Sequence, residues 1–209
     1  TGVVYSAETL DKLQAILEEA EKQIGHSIYV ISDEPYRELA YDGVEVPFMT
    51  KHIRNCIIGY SFSKSLSLPG ERIGYLAVPK EVDDYQGLVE GLAIANRVLG
   101  FVNAPSLQQL MIKECLNEQT DVAAYDRNRK FLYKSLTDMG FDCVKPEGAF
   151  YLFVKSPVAD EKIFVAEAKK HHLLLVPASS FGCPGYVRIA YCVSYEMIER
   201  SLPAFRALA

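Results

Sequence analysis

Apolar residues recur every three or four positions near the start of the chain. They are Leu10, Leu13, Ile16, Leu17, Ala20 and Ile24. Because this spacing places all six on one face of a helix, it predicts an amphipathic helix over residues 7–24. Ser6 is a typical N-cap residue and Gly25 a typical stop, so both predicted ends are supported by local chemistry.

Three short apolar runs follow, and they are rich in Ile, Val and Tyr. They read SIYVIS at 27–32, NCIIGYSFS at 55–63 and IGYLAVP at 73–79. Their apolar character is too continuous for strands with one solvated face, so we predict central strands of a sheet. A helix followed by buried strands indicates an α/β sheet with covering helices, in which ligands bind beyond the carboxyl ends of the strands. Asp33 and Lys64 fall at such ends.

The rest of the chain alternates helical and strand-like segments. Helical spacing over 82–100 and 104–119 predicts two helices, with Leu107, Leu110 and Met111 as core positions, and 121–140 predicts a third. Beyond them, two helices and several strands suggest a compact α+β unit of roughly ninety residues, which is a normal domain size. We therefore predict two domains, 1–119 and 120–209, with the boundary near Gln119.

Composition narrows the class of function. The 209 residues are 49% hydrophobic and 23% charged, and the formal net charge is −5 without any block of like charge. This balance argues against nucleic-acid or membrane partners and favours small-molecule chemistry. The five cysteines are odd in number and lack a CxxC pair, which predicts neither a disulfide framework nor a metal site. Together with the lack of a signal-peptide pattern, they favour a reducing cytoplasm.

Lys64 is the first candidate for chemistry because it directly follows a predicted buried strand. Such a lysine either extends its amine to water or holds it partly desolvated, where it acts as a nucleophile toward an aldehyde and forms a Schiff base. Ser61 and Ser63 offer hydroxyls nearby, and Arg72 offers a planar fork of donors suited to a phosphate. An aldehyde cofactor bearing a phosphate would use all four residues.

Two further side chains fit the same kind of ligand. Asp33 can pair with a protonated ring nitrogen, and the Tyr36 phenol can bond a ring hydroxyl. Pyridoxal phosphate carries all of these groups. Each residue also has a simpler interpretation, because Asp33 before Pro35 can begin a turn, Tyr36 can be a core aromatic, and Arg72 can be loop charge. The combination on one ligand favours the functional interpretation.

The order of these residues resembles a known family. SDEPYRELAYDG at 32–43 followed by YSFSKSLSLPGERIGYLAVP at 60–79 is similar to the core of the class I/II aminotransferases, which are fold type I enzymes that use pyridoxal phosphate. The resemblance spans essentially the whole chain. It continues through NAPSLQQL, PEGAFYLF and GYVRIAYCVSYEMIERSLPAF.

The resemblance implies a fold and a set of roles. The fold would be a PLP-dependent transferase-like α/β large domain, incomplete here, and a small C-terminal α+β domain. Lys64 would be the catalytic residue that forms the Schiff base and moves the proton. The cofactor-binding residues would be Asp33, Tyr36, Ser61, Ser63, Lys64 and Arg72. Arg188 would bind the substrate carboxylate, although its alternation with apolar neighbours also suits an exposed strand position.

The resemblance also implies the substrates, the oligomeric state and the part of an aminotransferase that this chain represents. The substrates would be an amino acid and a 2-oxo acid, and the intact enzyme would be a homodimer. Thr1 and Gly2 match the end of the family's Asn-Pro-Thr-Gly loop. We therefore expect this chain to be the C-terminal part of an aminotransferase that lacks the N-terminal half and turns over little substrate by itself.

Two other functions stay open at the level of sequence. A lyase or synthase of the same fold, such as a carbon-sulfur lyase or a cyclopropane-forming synthase, would share the Asp, Tyr, Lys and Arg set. A non-catalytic folded remnant would keep the fold without the reaction. The side-chain preference of the substrate has no signature in these residues.

Overall fold

A computed structural model describes residues 1–209, and it contains seven helices and seven strands. The helices are α1 Ala7–Ile24, α2 Phe62–Ser65, α3 Tyr85–Val98, α4 Ser106–Cys115, α5 Val122–Asp138, α6 Glu161–Lys170 and α7 Tyr195–Arg206. The strands are β1 Val30–Asp33, β2 Cys56–Ser61, β3 Gly74–Ala77, β4 Cys143–Val144, β5 Tyr151–Lys155, β6 Val176–Pro177 and β7 Tyr186–Ala190. No helix is long and apolar enough to cross a membrane.

Helix α1 has the predicted ends. Ser6 Oγ accepts a hydrogen bond from the backbone N–H of Thr9 at 3.2 Å, as an N-cap side chain does. Gly25 ends the helix in the left-handed conformation with φ of 77°, and its N–H donates to Glu21 O at 2.8 Å. Glycine adopts this conformation without steric cost, which is why the helix stops there.

The first sheet has three strands in the order β1-β2-β3. Strand β2 pairs parallel with β1 and antiparallel with β3. The central strand β2 begins with the buried residues Cys56 and Ile57, as predicted for a central strand. The prediction of a central, buried strand is wrong for β1 and for β3, because both lie at edges of the sheet, no residue of β1 is buried, and all four residues of β3 are exposed. Strand β3 lies at the edge of the sheet and is hydrogen-bonded on one side only.

Helix α4 also departs from the sequence prediction. Ile112 is buried, whereas Leu107 and Leu110, which we predicted as core residues, are 74% and 61% exposed. Apolar residues at helical spacing identify the face of a helix that favours burial. They do not establish that another element covers that face.

The second sheet has four strands in the order β4-β5-β7-β6, and all of its pairs are antiparallel. Along β7, Val187 and Ile189 are buried while Arg188 between them points to the opposite face. Arg188 lies across from Phe153 on β5 and from Val176 on β6.

The chain forms two packed units. One contains residues 1–4, 39–44 and 121–209, and the other contains residues 5–38 and 45–120. The short segments 1–4 and 39–44 thus pack with the C-terminal part of the chain. These units describe packing within this chain, so the domains 1–119 and 120–209 stay a prediction.

Candidate active site

Asp33 and Ser61 end two neighbouring parallel strands on the same face of the first sheet. Asp33 on β1 pairs in register with Gly59 on β2, and Ser61 follows Gly59 by two residues. Because side chains alternate along a strand, Asp33, position 59 and Ser61 share one face. Asp33 is exposed, and its carboxylate makes neither a hydrogen bond nor an ion pair within the chain. The sheet therefore presents an uncommitted carboxylate beside a hydroxyl.

The sheet surface beside these two side chains, here called the glycine floor, is open because Gly59 and Gly74 form it and carry no side chains. Gly59 lies between Asp33 and Ser61, and Gly74 on β3 lies across from Ser61. A cleft of about 770 Å³ includes all four residues. It continues along one side of α3, where it is lined by Tyr85, Val89, Leu92, Ala93 and Asn96. Glycine in a strand often marks a close approach by a ligand, and a flat group fits such a floor.

Lys64 lies in α2, immediately after the strand that carries Ser61. Ser61 Oγ accepts a hydrogen bond from the N–H of Ser63 at 3.1 Å and lies 2.6 Å from Ser63 Oγ, so both hydroxyls occupy the strand-to-helix turn. Lys64 Nζ lies 5.8 Å from the centre of the Tyr36 ring. The structure thus brings Lys64 and Tyr36 together and pairs Ser61 with Ser63.

Tyr36 is carried by a turn that an ion pair closes. Arg37 Nη1 contacts Glu34 Oε2 at 3.0 Å, and both side chains are largely buried. Glu34 N–H also donates to Gly59 O at 2.8 Å, which continues the β1-β2 pairing one step past Asp33. These contacts fix the turn directly after the strand end.

Arg72 is the predicted phosphate contact with the least support from the geometry. It is exposed, adopts the left-handed conformation with φ of 52°, and its Nη1 donates to Pro69 O at 2.8 Å. It does not line the cleft of Asp33 and Ser61. Four of its five guanidinium N–H donors make no hydrogen bond in the chain and are available to a ligand oxygen.

Arg188 belongs to the other packed unit, where it contacts two aromatic rings. Its Cζ lies 4.2 Å from the Phe181 ring centre and 4.3 Å from the Tyr151 ring centre. The guanidinium donates no hydrogen bond and makes no ion pair within the chain. It is therefore a partly buried cation whose donors are available.

Sequence reasoning missed several of these residues. Gly59 interrupts an otherwise apolar run, and an isolated glycine in a strand is a signal for ligand approach that would have identified it. Gly74 carries the same signal at the start of β3. Phe181 had no comparable signal, because its contact with Arg188 depends on the packing of two segments.

The donor set fits pyridoxal phosphate. An uncommitted carboxylate suits a protonated ring nitrogen, an amine suits an aldehyde, and hydroxyls with a guanidinium suit a phosphate. The glycine floor between Asp33 and Ser61 leaves space for a flat ring.

Comparison with known proteins agrees with this fit. The family model described as aminotransferase class I and II matches residues 1–205. The chain is 30% identical to the aspartate/prephenate aminotransferase of Thermus thermophilus, over 98% of this chain and 52% of that protein. It is also 30% identical to aromatic-amino-acid aminotransferase 2 of Thermococcus litoralis, over 97% of this chain and 52% of that protein.

A solved structure supports the same assignment at the level of fold. The crystal structure of an amino transferase from Eubacterium rectale has 52% sequence identity and a TM-score of 0.96. The match covers all of this chain and 52% of that one. The predicted α/β fold of the PLP-dependent transferases is therefore confirmed, and the chain spans about half the length of the relatives it matches.

Proposed function

The chain belongs to the aminotransferase class I and II family, and we propose that it serves the transfer of an amino group between an amino acid and a 2-oxo acid with pyridoxal phosphate as cofactor. The observation that carries the proposal is the placement of Asp33 and Ser61 on one face of the first sheet, with Gly59 and Gly74 forming the surface beside them. Both side chains lie on one sheet face at the carboxyl ends of parallel strands, where α/β sheets bind ligands.

The cofactor would be held by residues of the first sheet and of the segments after it. Asp33 would accept a hydrogen bond from the protonated ring nitrogen, Tyr36 would bond the ring hydroxyl, and Ser61, Ser63 and Arg72 would bond the phosphate. When bound, pyridoxal phosphate supplies the aldehyde and the electron-accepting ring that amino-group transfer requires. Asp33 supports that chemistry because its negative charge favours a protonated nitrogen.

Lys64 and Arg188 act on the substrate. The Lys64 amine removes the proton from the substrate α-carbon and returns one on the way to product, as a general base and then a general acid. Arg188 binds the substrate carboxylate through its available donors, for which the planar fork of arginine is well suited. The relatives are named for different substrates, so the side-chain preference of this protein is left open.

Three other expectations remain predictions. They are a homodimer, a cytoplasmic location and low turnover by the 209-residue chain alone.

A hybrid enzyme tests the proposal. The Eubacterium rectale enzyme is similar enough for residues 1–209 to replace its matching half, since the identity is 52% over the whole chain. We expect the hybrid to form glutamate from 2-oxoglutarate when supplied with a panel of amino acids. Reduction with borohydride and peptide mapping should place the pyridoxyl group on Lys64.

Matched controls make the result interpretable. Lys64→Ala should abolish glutamate formation, whereas Lys80→Ala, which changes an exposed lysine after β3, should leave it unchanged. A dominant pyridoxyl adduct at another lysine would refute the role of Lys64. Release of ammonia without glutamate would instead assign the protein to the lyases of the same fold.

A further inference from the structure

Arg188 differs from two other stacked arginines of the chain, Arg129 and Arg37, in how its donors are used. Arg129 lies 4.6 Å from the Tyr41 ring centre, yet it also makes four hydrogen bonds. Arg37 lies 3.9 Å from the Phe48 ring centre and donates to Glu34 and to two backbone carbonyls. Arg188 contacts two rings and donates to nothing.

This difference has a physical consequence. Aromatic rings contact the flat face of a guanidinium and leave its in-plane N–H groups free. Two such contacts restrict the rotation of a long side chain without using the donors that a carboxylate needs. Binding then loses less side-chain entropy, which is the usual benefit of a preorganised site.

The segment that carries Phe181 is itself held in place. Phe181 ends a short 3-10 helix that begins at the fully buried Ala178, and Gly182 caps it in the left-handed conformation with φ of 72°. The buried carboxylate of Glu161 accepts a hydrogen bond from Gly185 N–H at 3.0 Å. A further hydrogen bond from the Ser179 side chain, with that of Gly185, lowers the pKa of Glu161.

We propose that Phe181 is a positioning residue, which sets the plane of the Arg188 guanidinium and thereby the orientation in which it accepts a carboxylate. This inference rests on the proposed role of Arg188 in substrate binding. Phe181 is 49% exposed, and its ring is presented to the guanidinium by a loop that Glu161 and Ala178 anchor. Because it acts through Arg188, it should affect all 2-oxo acids equally, whatever their side chain.

The experiment compares Phe181→Leu and Phe181→Tyr with a matched control, Phe48→Leu. Phe48 is also about half exposed and also covers an arginine, Arg37, but that arginine has no proposed role in binding. In the ligand-free chain, the NMR signal of the Arg188 Nε–H group, assigned through Arg188→Lys, reports ring contact and mobility. We expect Phe181→Leu to move this signal toward that of a mobile arginine and Phe181→Tyr to retain it.

The second arm titrates the same variants with pyruvate, phenylpyruvate and 2-oxoglutarate. Loss of one exposed cation–π contact should weaken all three by about the same two- to fivefold factor. Phe181→Tyr and Phe48→Leu should bind as the unsubstituted chain does, and melting temperatures should show that each variant folds.

The outcomes separate the two proposals. An unchanged Arg188 signal in Phe181→Leu would overturn the positioning role, and so would unequal weakening, which indicates contact with the substrate side chain. If none of the three acids perturbs Arg188 in the unsubstituted chain, the carboxylate role of Arg188 fails. The ligand-free spectra then still decide whether Phe181 orders Arg188.

Discussion

Arg129 and Asp42 are joined by an ion pair of 2.8 Å between Nη2 and Oδ1, although 87 positions separate them in sequence. Arg129 is only 2% exposed, and it also binds Asp126 and the carbonyl oxygen of Pro146. Its guanidinium lies over the Tyr41 ring. This one side chain therefore fastens segment 39–44 to helix α5 and to the turn before β5.

Replacing Arg129 should destabilise its packed unit. Arg129→Met removes the buried cation, leaves the Pro146 carbonyl without its Arg129 donor, and leaves Asp42 and Asp126 with only their lysine partners. We expect a loss of about 2 to 4 kcal/mol in the free energy of unfolding, somewhat below the usual cost for a fully buried pair. Urea denaturation measures the change. Lys130→Met, which alters an exposed member of the same cluster, should cost far less.

The same cluster should make stability depend on pH. The pKa of the Asp42 carboxyl lies well below its usual value because Arg129, and then Lys145, donate hydrogen bonds to it. A lowered pKa in the folded state means that the ionised carboxylate stabilises the fold above about pH 4 and loses this effect as the pH falls further. Asp42→Asn should flatten the fall in unfolding free energy below pH 4. If the free energy of unfolding falls equally below pH 4 in both proteins, Asp42 is not the group responsible.

Filling the glycine floor should impair cofactor binding without unfolding the chain. A Cβ at Gly59 would meet Leu76 Cδ2 and Ser32 O at 3.7 Å, which are ordinary contacts. In the hybrid enzyme we expect Gly59→Val to weaken pyridoxal phosphate binding about tenfold or more, because overpacking of this size typically costs 1 to 3 kcal/mol. Absorbance titration measures the affinity. Gly91→Ala, where a Cβ meets nothing within 4 Å, serves as the control.

Loss of the Arg188 charge should affect substrates and spare the cofactor. Arg188→Leu in the hybrid should weaken amino-acid and 2-oxo-acid binding by about ten- to a hundredfold, the usual worth of a charged hydrogen bond. The cofactor absorbance band should stay intact. The control is Arg127→Leu, since Arg127 also lies over a ring, that of Tyr195, at 5.0 Å. Disappearance of the band in Arg188→Leu would mean that Arg188 contacts the cofactor instead.

The exposed apolar residues of α3 and of the segment after it should promote self-association of the 209-residue chain. Ile94, Val98 and Phe101 are 63%, 81% and 73% exposed. Surfaces of this kind are association sites in isolated proteins. We expect light scattering to report oligomers whose population falls in Ile94→Glu/Val98→Glu but not in Leu174→Ser, which changes an exposed leucine outside this segment. A monomeric unsubstituted chain at all accessible concentrations would refute this expectation.

Local signals in the sequence determined the parts of this protein that depend on near neighbours. Helix α1 has the predicted bounds because its periodicity, the Ser6 cap and the Gly25 stop all act within one turn. Asp33, Ser61 and Lys64 could be identified because a strand end is a local feature and each residue type has its own chemistry. Family resemblance added the roles, and the matched relatives support the family.

Tertiary structure alone decided what covers each apolar surface and which distant segments meet. The apolar run of β3 and the leucines of α4 were predicted as buried, yet they are exposed, because burial depends on whether another element packs there. The contacts of Arg129 with Asp42, and of Phe181 with Arg188, depend on how a turn or loop is placed against a helix or strand. Sequence spacing carries no record of such placements, because long-range packing is set by the shape of the whole unit.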